Sequence, residues 1–204
     1  EGVLQFINNV AVNMQPFFLI ISLVNPHDVL AYPRNYSKAG FNNNWLQGSI
    51  GLPATADESL ATKPRAQKAF KKIFELNGVL NTQQKMLNYL NFYGNLMKVS
   101  DQNLVETIAA LKSVGVYDNT LIIRTADHGE MGLAHSGLRQ KNFNMYEESL
   151  NVPMVFSNPQ LWQKGRTSQS MVSHVDFLPT MASLLNAPQS ARSAWAGIDY
   201  SNVV

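Results

Sequence analysis

There is no cysteine among the 204 residues. That absence removes disulfides, thiolate metal sites and a cysteine nucleophile from this stretch of chain. Charge is also scarce: Asp, Glu, Lys and Arg make up 15% of residues, and the formal net charge is only +2. So even a balance gives no electrostatic case for nucleic acid or for an anionic membrane. No apolar run approaches the roughly 20 residues that span a bilayer. The opening, Glu1-Gly2-Val3-Leu4-Gln5, lacks the basic start and the cleavage pattern of a secretory signal. It lacks an initiator methionine too, so the natural start is expected upstream. No GxSxG elbow, Walker loop, GxGxxG or CxxC occurs. The usual serine-hydrolase, NTPase and dinucleotide readings therefore fall away.

What is present suits one domain, or most of one, with length enough for a sizeable core. Val3, Leu4, Ile7, Val10 and Val12 have a loose helical spacing. Phe17-Phe18-Leu19-Ile20-Ile21-Ser22-Leu23-Val24 is a nearly continuous apolar run and predicts a central strand. It ends in the turn composition Asn25-Pro26-His27-Asp28, which sets His27 at the strand's carboxyl end. Residues 30–64, punctuated by Pro33, Gly40, Gly48, Gly51, Pro53 and Pro64 and with little periodicity, read as a long irregular excursion ordered by Trp45 and Leu52. Between Lys63 and Lys72 five basic residues fall in ten. They read as the solvated face of an amphipathic helix with Phe70, Ile73, Phe74 and Leu76 buried opposite, or else as an anion-attracting surface. From Thr82 to Val114 apolar residues recur at spacings of three and four, and Gly115 supplies a stop. Further on, Asp176 to Leu185 predicts a helix with Asp176 as N-cap and Pro179 in its first turn.

The informative stretch is Thr120 to Phe156. Leu121-Ile122-Ile123 opens it as a buried strand, and Val152-Pro153-Met154-Val155-Phe156 closes it as another. Between them lies Asp127-His128-Gly129-Glu130, a carboxylate and an imidazole at a strand end beside a glycine that permits close backbone approach. Such a pair suits Ca²⁺, Mg²⁺, Mn²⁺ or Zn²⁺, with further ligands from elsewhere; equally, Asp127 is a turn cap and His128 a surface residue. Arg139 and Lys141 share the following loop and hold either a phosphate or sulfate ester or only solvent. His27 adds a donor from another strand end. Asp176 beside His174 is better explained by helix capping than as a dyad.

At this point the words resemble a known family. Asp127-His128-Gly129-Glu130-Met131, Ala134-His135-Ser136-Gly137-Leu138-Arg139-Gln140-Lys141, Tyr146-Glu147-Glu148 and Val152-Pro153 are similar to the carboxyl-terminal part of a sulfatase catalytic domain, in the alkaline phosphatase superfamily. Pro16-Phe17-Phe18 with Ser22 to Asp28 resembles the family's strand bearing an active-site histidine. Tyr93 to Asp101 resembles its long helix, and His174 to Thr180 its downstream helix. The likeness runs over most of residues 15–188 in order.

This resemblance implies a three-layer α/β/α fold around a mainly parallel sheet, with strands near 17–24, 120–126 and 152–157, as a single partial domain over 1–204. It implies that Asp127 and His128 ligate one divalent cation, with Ca²⁺ first and Mg²⁺ or Mn²⁺ as alternatives. Lys141 would contact the sulfate oxygens and His27 the ester's leaving oxygen, with His135 and Arg139 as further substrate contacts. The implied substrate is a small sulfate ester. His128, where many arylsulfatases carry Asn, keeps a phosphonate monoesterase or phosphodiesterase open, and a non-catalytic binding domain is the third reading. The family's Asp-Asp pair and its Cys/Ser-x-Pro-x-Arg motif, source of the formylglycine nucleophile, do not occur here. They are expected upstream, so the isolated chain should be inactive. An incomplete sheet would expose an edge and an apolar face and so favour a homo-oligomer. For compartment, the bacterial cytoplasm and periplasm both stay open.

Overall fold

The computed structural model describes residues 2–13, 16–188, 190 and 195–204. The chain forms two compact units, residues 1–155 and residues 156–204.

The axis of the first unit is helix α3, Gln83–Ser113. Thr82 caps it, its side chain accepting from the Lys85 amide at 3.2 Å. The predicted stop at Gly115 is a Schellman ending: Gly115 takes a φ of +75°, its N–H donates to Lys112, and Val116 N–H donates to Leu111 at 3.0 Å. Tyr89, Leu90, Phe92 and Leu96 on α3 are buried together with Val29, Tyr32 and Leu133. Helix α1, Gly2–Asn13, packs on α3 and buries Ile7.

The excursion is irregular, as expected, yet it is held closely. Two short 3-10 helices, His27–Ala31 and Asn43–Leu46, lie against α3. Trp45 and Leu52 pack on the α3 core, together with Tyr36, Phe41 and Leu46. Asn95 of α3 donates to the carbonyls of Trp45 and Gln47, both at 2.9 Å, and Asn91 accepts from the Ile50 amide at 3.0 Å. These bonds satisfy backbone groups that an irregular segment would otherwise leave unpaired.

Helix α2, Arg65–Glu75, corrects the expected burial pattern. Ile73 and Leu76 are 55% and 70% exposed, whereas Gln67 is buried and Phe70, Lys71 and Phe74 are half-buried. The inward stripe is thus 67, 70, 71 and 74, at i, i+3, i+4 and i+7. Its two polar members face polar groups: Tyr146 donates to Gln67 at 3.1 Å, and Lys71 Nζ donates to the carbonyl and hydroxyl oxygens of Ser136.

Two of the three expected strands are present. β1, Ile122–Thr125, and β2, Met154–Ser157, pair as a two-stranded sheet; β1 is not the buried strand expected, since Ile122 and Ile123 are half-buried and Arg124 and Thr125 exposed. Residues 16–24 form no strand, a correction to the sequence expectation. A strand exists only as a ladder with a neighbour, and no described segment supplies one. Their side chains stay in solvent: Phe18, Ile20 and Val24 are 62%, 78% and 71% exposed. Helices and this small sheet make the chain an α/β protein.

In the second unit the helix is His174–Leu184, one turn longer at its start than predicted. Ser173, not Asp176, is the N-cap; Asp176 is the third helical residue of a capping box and accepts from the Ser173 amide at 2.9 Å. Pro179 therefore lies inside the helix. Thr180 is fully buried and accepts from the Tyr200 amide at 3.0 Å. Among the described residues no helix is long and apolar enough to cross a membrane.

Candidate functional site

β1 ends at Thr125, and the chain turns through Asp127-His128-Gly129-Glu130 without regular structure. The glycine is required there. A Cβ on Gly129 would lie 1.9 Å from the carbonyl oxygen of Glu148, and the Gly129 amide donates to Ser149 at 2.9 Å. This backbone clasp fixes the loop against the one-turn helix Glu147–Leu150.

Asp127 and His128 form a donor pair. His128 Nε2 is 3.1 Å from Asp127 Oδ2, and Nδ1 is 2.9 Å from the Gly129 carbonyl oxygen. That carbonyl can only accept, so Nδ1 donates to it, and Nε2 lies beside the carboxylate. An imidazole nitrogen and a carboxylate oxygen side by side are atoms that a divalent cation takes as ligands. The Asp127 side chain is 84% exposed and that of His128 37%, so one can enter. The donor chemistry fits a divalent ion, as two members of a larger ligand set. Among the described residues no third His, Asp or Glu joins them in a group of ligands.

Glu130, next along, organises the other half of the loop. Its carboxylate accepts from Tyr89 Oη at 2.7 Å and from the Gln140 amide at 2.9 and 3.0 Å, with the Gln140 side chain at 3.1 Å. Met131 N–H donates to the Gln140 carbonyl at 3.1 Å. Tyr89 is fully buried, and burial followed by the Glu130 charge holds its phenol well above its usual pKa. Gln140 then hands the order on: its Oε1 accepts from Lys141 Nζ at 3.2 Å. Lys141 is thereby tied, through Gln140 and Glu130, to the loop that carries Asp127 and His128.

His135 sits in a contorted turn, with φ of +49° at His135 and +71° at Ser136. Thr55 holds it, its hydroxyl accepting from the His135 amide and its carbonyl from the Ser136 amide, both at 3.1 Å. Around the ring, Glu58 pairs with Nδ1, Glu148 lies 3.4 Å from Nε2, and Tyr146 stacks on the face. Lys63 closes the cluster, 2.8 Å from Glu58. The Lys63 bond first and the His135 bond second hold the Glu58 carboxyl below its usual pKa, and Glu58 in return raises Lys63.

Arg139 is buried and turned elsewhere. Its guanidinium donates to the carbonyls of Phe74 and Gly78, at the end of α2, and burial lowers its pKa. His27 is exposed at the start of its 3-10 helix, and among the described residues no side-chain bond links it to Asp127, His128 or Lys141. Its turn is anchored by Ser100 of α3, which donates to the Asn25 carbonyl at 2.7 Å. Sequence reading did not single out Glu58, Tyr89 or Gln140. Glu58 is 77 residues from His135, and Tyr89 is 41 from Glu130, so no local pattern could have flagged them.

The family model described as Sulfatase matches residues 1–187. Arylsulfatase K of Mus musculus is 33% identical over 178 residues, covering 82% of this chain and 31% of its own. Arylsulfatase K of Homo sapiens is 31% identical over 185 residues, covering 85% and 33%. The chain thus spans about a third of the length of these curated relatives. Among solved structures, a 2-O GAG sulfatase superposes with a TM-score of 0.76 at 20% identity, over 99% of this chain and 44% of that one. The phosphonate monoester hydrolase of Agrobacterium radiobacter gives 0.63 at 23% identity, over 90% and 38%.

Proposed function

Because the chain belongs to the sulfatase family of the alkaline phosphatase superfamily, we propose that it carries the cation-binding and leaving-group side of a sulfuric-ester hydrolase. The observation that carries this reading is the Asp127–His128 pair, with Lys141 tethered to the same loop. In this reading Asp127 and His128 supply two ligands to one divalent cation, Ca²⁺ first and Mg²⁺ or Mn²⁺ as alternatives. Such an ion, once bound, neutralises charge on the ester's oxygens. Lys141 directs its ammonium at the sulfate, and His27 protonates the departing oxygen.

The substrate is a small sulfate ester. His135, held in its carboxylate cluster, shapes the loop wall, and Arg139 braces the loop from behind. The formylglycine nucleophile belongs to a motif absent from these 204 residues. The surrounding architecture is a three-layer α/β/α domain with a mainly parallel sheet, of which this chain is one part. A second reading, phosphonate monoester or phosphodiester hydrolysis, is favoured by His128 at the ligand position.

Manganese titration followed by NMR tests the cation assignment. Paramagnetic broadening should centre on Asp127, His128 and Gly129 and vanish in Asp127→Ala. Broadening scattered over other carboxylates would remove the assignment.

A further inference from the structure

Away from the cation loop, the excursion and the first turns of α3 enclose a groove with a different chemistry. One depression, of about 420 Å³, is lined by Tyr32, Tyr36, Asn43, Gln47, Gln84 and Asn88, with Pro33 and Leu46. A second, of about 260 Å³, adjoins it through Gln47, Gln84 and Asn88 and ends at Asn91. No Asp, Glu, Lys, Arg or His lines either one. The larger is within the range of roughly 300–1,000 Å³ typical of small-ligand sites.

The lining is ordered and unfinished at once. Tyr36 Oη donates to Asn43 Oδ1 at 2.6 Å, and Gln84 Nε2 donates to Asn88 Oδ1 at 2.8 Å. The Tyr32 and Tyr36 rings pack on each other and on Phe92, which anchors that wall in the core. After these bonds, Asn43 keeps amide donors, Gln84 keeps a carbonyl acceptor, and the Gln47 carboxamide keeps both. An anion or cation would find no counter-charge here, and a purely apolar ligand would strand the amides. Hydroxyl groups, each able to donate and accept, match carboxamides one for one. The carbon face of a pyranose matches Tyr36, Pro33 and Leu46.

We propose that this groove binds an uncharged sugar unit of a glycan. The inference is independent of the sulfatase reading, since none of His27, Asp127, His128 or Lys141 lines the groove.

The test is an NMR titration of this chain with the methyl glycosides of glucose, galactose, mannose and N-acetylglucosamine, with uridine and adenosine run in parallel. At least one glycoside should move the side-chain amide signals of Gln47, Gln84 and Asn88 saturably, with an affinity insensitive to salt. Gln84→Ala, at an exposed position, should weaken that binding about threefold to tenfold with the rest of the spectrum unchanged. Tyr36→Phe, which keeps the ring, should do the same. No saturable shift with any glycoside, saturation by a nucleoside alone, or equal binding by both variants would overturn the proposal.

Discussion

The imidazole of His135 lies face to face with the ring of Tyr146, centroids 3.8 Å apart and planes 10° from parallel. Glu58 and Glu148 flank the same imidazole, and Lys63 sits 2.8 Å from Glu58 and 5.7 Å from the Tyr146 ring centroid. Residues from the excursion and from the loop after β1 thus meet around one histidine. The pairing fixes the loop's wall even though its members are spread over 90 residues of chain.

This cluster carries a pH dependence with a definite sign. Glu58's carboxyl is depressed, so its contribution is full above the ordinary carboxylate range and is lost as pH falls through the depressed value. Lys63 is raised, so its contribution is full below the ordinary ammonium range and is lost only as pH rises through the raised value. Between those limits Glu58 and Lys63 are both charged and their ion pair is complete. Glu58→Gln should therefore lower the melting temperature most near neutrality, with the deficit shrinking as pH drops below about 4. A deficit that stays constant down to pH 3 would contradict the pairing.

Gly129→Ala should cost about 1–3 kcal/mol or more, because a methyl group would fall on the Glu148 carbonyl and the clasp would open. Urea unfolding measures it. A midpoint equal to that of the parent chain would mean that the two backbones are not in register as described.

Tyr89→Phe removes the buried donor of a half-buried carboxylate and should cost about 1–3 kcal/mol. It should also shift the amide signals of Gln140 and Lys141, since Glu130 links them. Unchanged signals there would break the proposed tether of Lys141.

Residues 16–24 present Phe18, Ile20, Ile21, Leu23 and Val24 to solvent. Contiguous exposure of this kind drives association. The isolated chain should sediment as a concentration-dependent oligomer, and the double substitution of Ile20 and Val24 by Lys should shift it toward monomer. A compact monomer of the parent chain at millimolar concentration would refute this.

The isolated chain should show no turnover of an aryl sulfate, with or without Ca²⁺. Turnover that survives further purification and is lost in Asp127→Ala would place a nucleophile within these residues.

Local order was written in the sequence. The apolar spacing of α3, the Gly115 stop and the β-branched run of β1 all depend on neighbours a few residues away, and each is found where the pattern puts it. Residues 17–24 read as a strand for the same reason and are not one here, because a ladder needs a partner that no local pattern can provide. The side-chain stripe of α2 was misread likewise: hydrophobicity pointed to Ile73 and Leu76, but the tertiary neighbours of that helix are Ser136 and Tyr146, and polar groups of Gln67 and Lys71 face them. Asp127 and His128 are adjacent in the chain, so their pairing was legible from sequence. The Glu130–Tyr89–Gln140 brace and the Glu58–His135–Glu148 cluster were not, since buried polar groups choose partners by position in space, across separations of 10 to 77 residues. That choice was left to the tertiary structure.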